Sequence, residues 1–171
     1  TMAFDDLDMI GGNLLSSNPS TCYKENYKLL VVGDSITAAY GVDGADATCH
    51  YTASTQNILE SYATLVAQSI DASVHTIAWS GKGVVRNYGD VNPTSTEPMP
   101  IYYNRTLATN STLYWNPRNY IPDIAIIALG ANDYSTEPNP SDEDFQTGLT
   151  NLVNQIKADY PSAKIVLMCE P

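Results

Sequence analysis

Basic residues are scarce in this chain of 171 residues: 8 Lys and Arg stand against 19 Asp and Glu, a formal charge of -11 at pH 7. A balance of that sign repels a phosphate backbone and an anionic membrane surface, so nucleic acid is excluded as an expected partner. No apolar run approaches the ~20 residues that cross a bilayer. The opening TMAFDDLDMIGG has neither the basic n-region nor the apolar h-region of a signal peptide. No membrane insertion is expected. Histidine is reduced to His50 and His75, and cysteine to Cys22, Cys49 and Cys169, an odd number that leaves at least one thiol unpaired within the chain. Internal repeats and low-complexity tracts are also missing.

What is present fits one globular domain with a proper core, at 43% hydrophobic residues. Cys22 and Cys49 lie in polar segments and are the expected disulfide; Cys169 ends an apolar run and is expected to be a small buried hydrophobe. Two sequons, Asn104-Arg-Thr and Asn110-Ser-Thr, fall in a polar stretch where a loop is expected. Both are candidate N-glycan acceptors, and they point to a secreted or extracellular location.

Four short β-branched runs recur: 28–33 (KLLVVG), 73–79 (SVHTIAW), 123–130 (DIAIIALG) and 163–169 (AKIVLMC). Near-continuous apolar runs are the mark of strands buried on both faces. Between the first two, residues 54–70 read as a helix capped by Ser54 or Thr55, with Ile58, Leu59, Tyr62, Leu65, Val66 and Ile70 on one face. Between the last two, Phe145, Leu149, Leu152, Val153, Ile156 and Tyr160 form a second stripe. Ser141 caps that helix, and the acidic residues of its first turn suit the helix dipole. Strands alternating with amphipathic helices predict right-handed βαβ units and a parallel sheet covered on both faces. The exception is residues 84–122, with five prolines, both sequons, Trp115 and five tyrosines but no sustained helical stripe. Long irregular insertions of this kind tend to be functional, and this one is expected to be an ordered lid or wall with a short helix near 101–109.

In an open parallel sheet the ligand site lies beyond the carboxyl ends of the strands. The first three runs end in Gly33-Asp34-Ser35, Ser80-Gly81-Lys82-Gly83 and Gly130-Ala131-Asn132-Asp133, which puts three polar clusters on one rim. That set suits acyl transfer. A serine at a strand-to-helix turn exposes its hydroxyl and aims its backbone N–H at a developing oxyanion. Gly81 lets the backbone approach a substrate and offers a second N–H, and the Asn132 amide offers a third donor. Alone, Gly-Asp-Ser after a strand is also an ordinary turn composition, and Asn-Asp an ordinary turn or helix cap; the argument rests on their shared rim.

These residues resemble the SGNH (GDSL-type) hydrolases, and more narrowly the catalytic domain of carbohydrate esterase family two. The similarity runs from about Tyr27 to the C-terminus through GDSITAAYGVDG, IAWSGKGVVRNYGD and PDIAIIALGANDYS. It implies a flavodoxin-like three-layer αβα sandwich with a central parallel sheet over 27–171. Ser35 is then the nucleophile, Gly81 the backbone oxyanion donor and Asn132 the side-chain donor. Asp34, Asp133 and Trp115 are candidate substrate-binding residues. The resemblance also implies no metal or cofactor, and removal of O-acetyl groups from sugars or polysaccharides.

The family pattern also needs a histidine base in a D-x-x-H block after the last strand, and no such block occurs up to Pro171. His75 lies inside the second strand, where a core or sheet-face role is expected, and His50 lies in a polar loop after Cys49. The base is therefore expected from a C-terminal segment or second chain that also adds a fifth strand and closing helix to an edge left open after the fourth strand. Residues 1–26 are too short for the β-sandwich that precedes the domain in that family and are expected to form an arm. Two further readings remain: a catalytically inactive module of the same fold serving glycan binding or extracellular assembly, and an unrelated flavodoxin-like binding protein. The last fits poorly, because GDSIT places an acidic residue where a phosphate-cradling turn would sit.

Overall fold

A computed structural model describes residues 25–49 and 51–169. Cys22, His50 and most of the expected N-terminal arm lie outside them. Four parallel strands, β1 (Tyr27–Gly33), β2 (Ala72–Ala78), β3 (Ile124–Ala128) and β4 (Lys164–Met168), form one sheet in the order β2-β1-β3-β4. Gly33 stands opposite both Ala78 and Ala128, so the first three strands end level. This register brings the three polar clusters to one rim.

Successive side chains of a strand point to opposite faces, and β1 is buried on both: Leu29 and Val31 on one, Leu30 and Val32 on the other, none above 2% exposed. The face of Leu30 and Val32 packs with Ala125 and Ile127 of β3 against Leu152 and Ile156 of α4 (Asp142–Asp159). Met99 and Tyr103 of α2 (Met99–Tyr103) join the same core. Ser141 caps α4 as its sequence predicts, its hydroxyl accepting the Asp144 N–H at 3.1 Å. The other face is covered by α1 (Tyr62–Ser69), completing three layers.

The structure changes three expectations. The stretch 54–70 is not one helix: two short 3-10 turns precede α1, which Ser61 caps by accepting the Thr64 N–H. Its buried residues are Ala63 and Ala67, whereas Ile58, Leu59, Leu65, Val66 and Ile70 are exposed. Two alanines without bulk let the helix approach the sheet closely, and this turns the large side chains outward. In the insertion, the short helix is α2 at 99–103, starting earlier than 101–109, because Met99 and Tyr103 are drawn into the core and Pro98 and Pro100 frame its first turn. Cys169 is exposed rather than buried, since it follows β4, the edge strand, where Val166 and Leu167 are themselves 44% and 55% exposed. Cys49 is exposed, and its expected partner Cys22 is outside the described residues. Among the described residues, no helix is long and apolar enough to cross a membrane.

Candidate active site

Ser35 stands in a turn built by its neighbours. The Asp34 carboxylate accepts the Ile36 N–H at 3.0 Å, and the Ala38 and Tyr40 N–H groups donate to the Asp34 and Ser35 carbonyls at 3.0 and 2.9 Å. The main chain thereby folds back on itself just past the strand, and Ser35 is left partly exposed. Among the described residues, neither its N–H nor its hydroxyl has a hydrogen-bond partner.

Gly81 lies across the rim at φ 80°, a left-handed conformation that a side chain disfavours. Its carbonyl accepts the Tyr88 N–H at 2.9 Å, and its own N–H donates to no described residue. Asn132 comes from α3 (Ala131–Tyr134), the short helix that follows β3. Its Nδ2 donates to Asp34 Oδ2 at 2.6 Å and to the Lys82 carbonyl at 3.0 Å. Ser35, Gly81 and Asn132 thus line one open groove of about 560 Å³. Its aromatic wall, Tyr40 and Tyr88, is absent from the expected site. The only sequence signal for it is that each tyrosine closely follows a rim cluster.

Of the two aspartates expected to bind substrate, Asp34 borders the Ser35 groove and Asp133 does not. Asp34 is 1% exposed, and its carboxylate positions the turn and the Asn132 amide. Asp133 is wholly buried: Oδ2 accepts the Val84 N–H at 2.8 Å, and Oδ1 accepts those of Val85 and Arg86 at 2.8 and 2.9 Å. Burial pushes this carboxyl above the ordinary aspartate value, against the pull of those three donors. Arg86 is buried beside it, its guanidinium donating to the carbonyls of Asp90, Asn92 and Thr136. A side chain at Gly83 would bring Cβ to 2.0 Å from the Arg86 carbonyl and 2.4 Å from Asp133 Oδ2. The GKGVVR segment and the Asn-Asp pair therefore lock together, which holds Gly81 and Asn132 at one place.

Trp115 is placed at a different cavity. The insertion packs against β2, and the Trp115 main-chain N–H donates to the Asn104 carbonyl at 2.9 Å. This turns the indole onto His75, centroids 4.8 Å apart, in a cavity of about 320 Å³ that Tyr102 and Arg105 also line. Trp115 does not line the Ser35 groove. His75 takes the sheet-face role expected of it. Burial alone lowers its pKa, and in register it pairs with Leu30, three residues and so about 10 Å short of the rim. It is the one histidine among the described residues, and Ser35 has no base from it.

The family model of GDSL-like lipases and acylhydrolases matches residues 31–171. A cellulase/esterase of Acetivibrio thermocellus is 35% identical over 146 residues, 84% of this chain and 17% of that protein. An acetylxylan esterase / glucomannan deacetylase of Cellvibrio japonicus is 33% identical over 144 residues, 82% of this chain and 38% of its own length. Among solved structures, a family two carbohydrate esterase from Clostridium thermocellum in complex with cellohexaose superposes with a TM-score of 0.85 at 33% identity, covering 96% of this chain and 48% of that one. The chain spans less than half the length of each of these relatives.

Proposed function

The chain belongs to the GDSL-like lipase/acylhydrolase family, and we propose that it is the nucleophile-bearing part of a secreted carbohydrate O-acetylesterase. The observation that carries this is the convergence of a partly exposed Ser35 with the Gly81 N–H and the Asn132 amide in one open groove. The names of the relatives, acetylxylan esterase / glucomannan deacetylase and cellulase/esterase, supply the substrate class.

In this reading Ser35 Oγ attacks the acetyl carbonyl carbon and its proton passes to a histidine. The negative oxygen of the tetrahedral intermediate accepts the N–H groups of Ser35 and Gly81. Asn132 turns the N–H now on the Lys82 carbonyl toward the same oxygen. The intermediate collapses by breaking the bond to the sugar oxygen, which takes the proton from the histidine. Water then cleaves the acetyl-serine by the same path in reverse.

In this reading the histidine comes from outside the described residues, from a further C-terminal segment or a second chain. Support for this lies at β4, where Leu167 and Cys169 border an apolar groove with Leu129, Phe145 and Leu149, a surface that a further strand and helix would cover. Secretion would present Asn104 and Asn110, both on the insertion, as glycan acceptors. The test is acetate release from an acetylated glycan by the complete protein. Ser35→Ala is expected to reduce it to background, and undiminished release would overturn the assignment. One observation favours a second reading, a catalytically silent glycan-binding module: among the described residues Ser35 has no histidine beside it. That reading predicts binding without acetate release.

A further inference from the structure

The loop that carries Gly81 is tied down through the residue that follows it. Lys82 donates its main-chain N–H to the Trp79 carbonyl at 3.2 Å, and its own carbonyl accepts Asn132 Nδ2 at 3.0 Å. Its side chain does not line the Ser35 groove. It reaches the insertion instead, where Nζ donates to the Glu97 carbonyl at 2.9 Å and lies 4.3 Å from the centre of the Tyr102 ring.

The surface that receives the ammonium is itself ordered. The Tyr102 hydroxyl donates to Glu97 Oε2 at 3.2 Å. Arg105 pairs with the same carboxylate, and its guanidinium lies 4.5 Å from the centre of the same ring. The Glu97 carbonyl also accepts Asn87 Nδ2 at 3.1 Å. Lys82 Nζ therefore meets a preset acceptor and an aromatic face whose quadrupole attracts a cation. This fastens the Gly81 loop to α2.

In the proposed reaction Asn132 gives up the Lys82 carbonyl to reach the oxyanion, so the loop loses one tie just as charge develops on that oxygen. The ties of the Lys82 side chain, to Glu97 and Tyr102, persist through that step. We infer that Lys82, seated on Tyr102 and Glu97, is a positioning residue for the oxyanion hole, which holds the Gly81 N–H in place while Asn132 turns. The insertion then serves as an anchor behind the oxyanion loop. The inference rests on the esterase reading for its chemistry, whereas the order of the loop can be measured without turnover.

The experiment uses the complete protein and an acetylated sugar. Lys82→Met keeps the length of the side chain without its charge. It is expected to lower kcat about tenfold and to leave KM within about twofold, the pattern of an interaction that matters most in the transition state. Tyr102→Leu, which removes the ring, should do the same and covers the case of a misfolded Lys82→Met. The double variant should lose little more than either single one, because both cut the same tie. Tyr102→Phe keeps the ring and should retain most of kcat. Independently of turnover, deuterium exchange at the amide of residue 82 should quicken about tenfold in Lys82→Met and in Tyr102→Leu. Four results overturn the anchor: kcat unchanged in both variants, a rise in KM alone, a fall in melting temperature with kcat retained, or exchange at residue 82 unmoved by either. So does a loss in Tyr102→Phe equal to that in Tyr102→Leu, which would give the effect to the hydroxyl on Glu97. Faster exchange at residue 82 in a protein whose wild type releases no acetate keeps the anchor and removes the esterase. Acetate release that neither variant slows does the reverse.

Discussion

Asn132 Nδ2 donates to Asp34 Oδ2 across 2.6 Å, a bond between residues 98 apart in the chain that ties the turn after β1 to the helix after β3. Because Asp34 carries Ser35 on its C-terminal side, this one contact sets the distance between the proposed nucleophile and the proposed amide donor. Asn132→Ala should therefore lower kcat of the complete esterase by about 10²–10³, the usual cost of one oxyanion donor, with a smaller change in KM. Steady-state kinetics on an acetylated sugar check this, and an unchanged kcat would remove Asn132 from the site.

Asp133 should behave as a structural keystone. Asp133→Ala strands the buried N–H groups of Val84 and Arg86 and the half-buried one of Val85, at about 1–3 kcal/mol for each buried unsatisfied donor. Asp133→Asn, oriented to keep its oxygen on Val85 and Arg86, strands only the Val84 donor. Denaturant midpoints should fall in the order wild type, Asn, Ala.

Gly83→Ala should destabilise although it adds only one carbon. Its Cβ would meet the Arg86 carbonyl at 2.0 Å and the Asp133 carboxylate, and overpacking of this kind typically costs about 1–3 kcal/mol or more. Thermal unfolding measures it, and activity should fall with it, because the displaced loop carries Gly81.

Acid should weaken the fold through His75. Burial holds its folded pKa below the ordinary value of about 6.5, so in the unfolded chain it binds a proton that the folded chain refuses. Its contribution to stability is therefore present above pH ~6.5 and is lost as pH falls through the lowered folded value. His75→Phe, which keeps a ring against Trp115, should flatten the fall in Tm over that acidic window; an unaltered pH dependence would exclude His75 as its source.

The strands and the rim were legible in the chain itself. KLLVVG and DIAIIALG are apolar without alternation because β1 and β3 lie inside a parallel sheet, buried on both faces. In such a sheet whatever polar residues follow the strands arrive together at one end. Ser35, Gly81 and Asn132 needed only that register. The face of α1 was not legible, because its apolar residues satisfy a helical period whichever side meets the sheet; two small alanines won through close approach.

Composition and periodicity by themselves determined the α/β class, the strands, α4 with its Ser141 cap and the residue types at the rim, since these depend on burial pattern and local hydrogen bonding. Tertiary structure alone decided that Asp133 is spent on Val84, Val85 and Arg86, that Trp115 faces His75 rather than Ser35, and that Lys82 lies over the Tyr102 ring. The physical reason is the same each time. These side chains are assigned by partners far away in the chain, up to 49 residues for Asp133, and a neutral Trp, Tyr or a buried carboxylate carries no local mark of which partner it will meet.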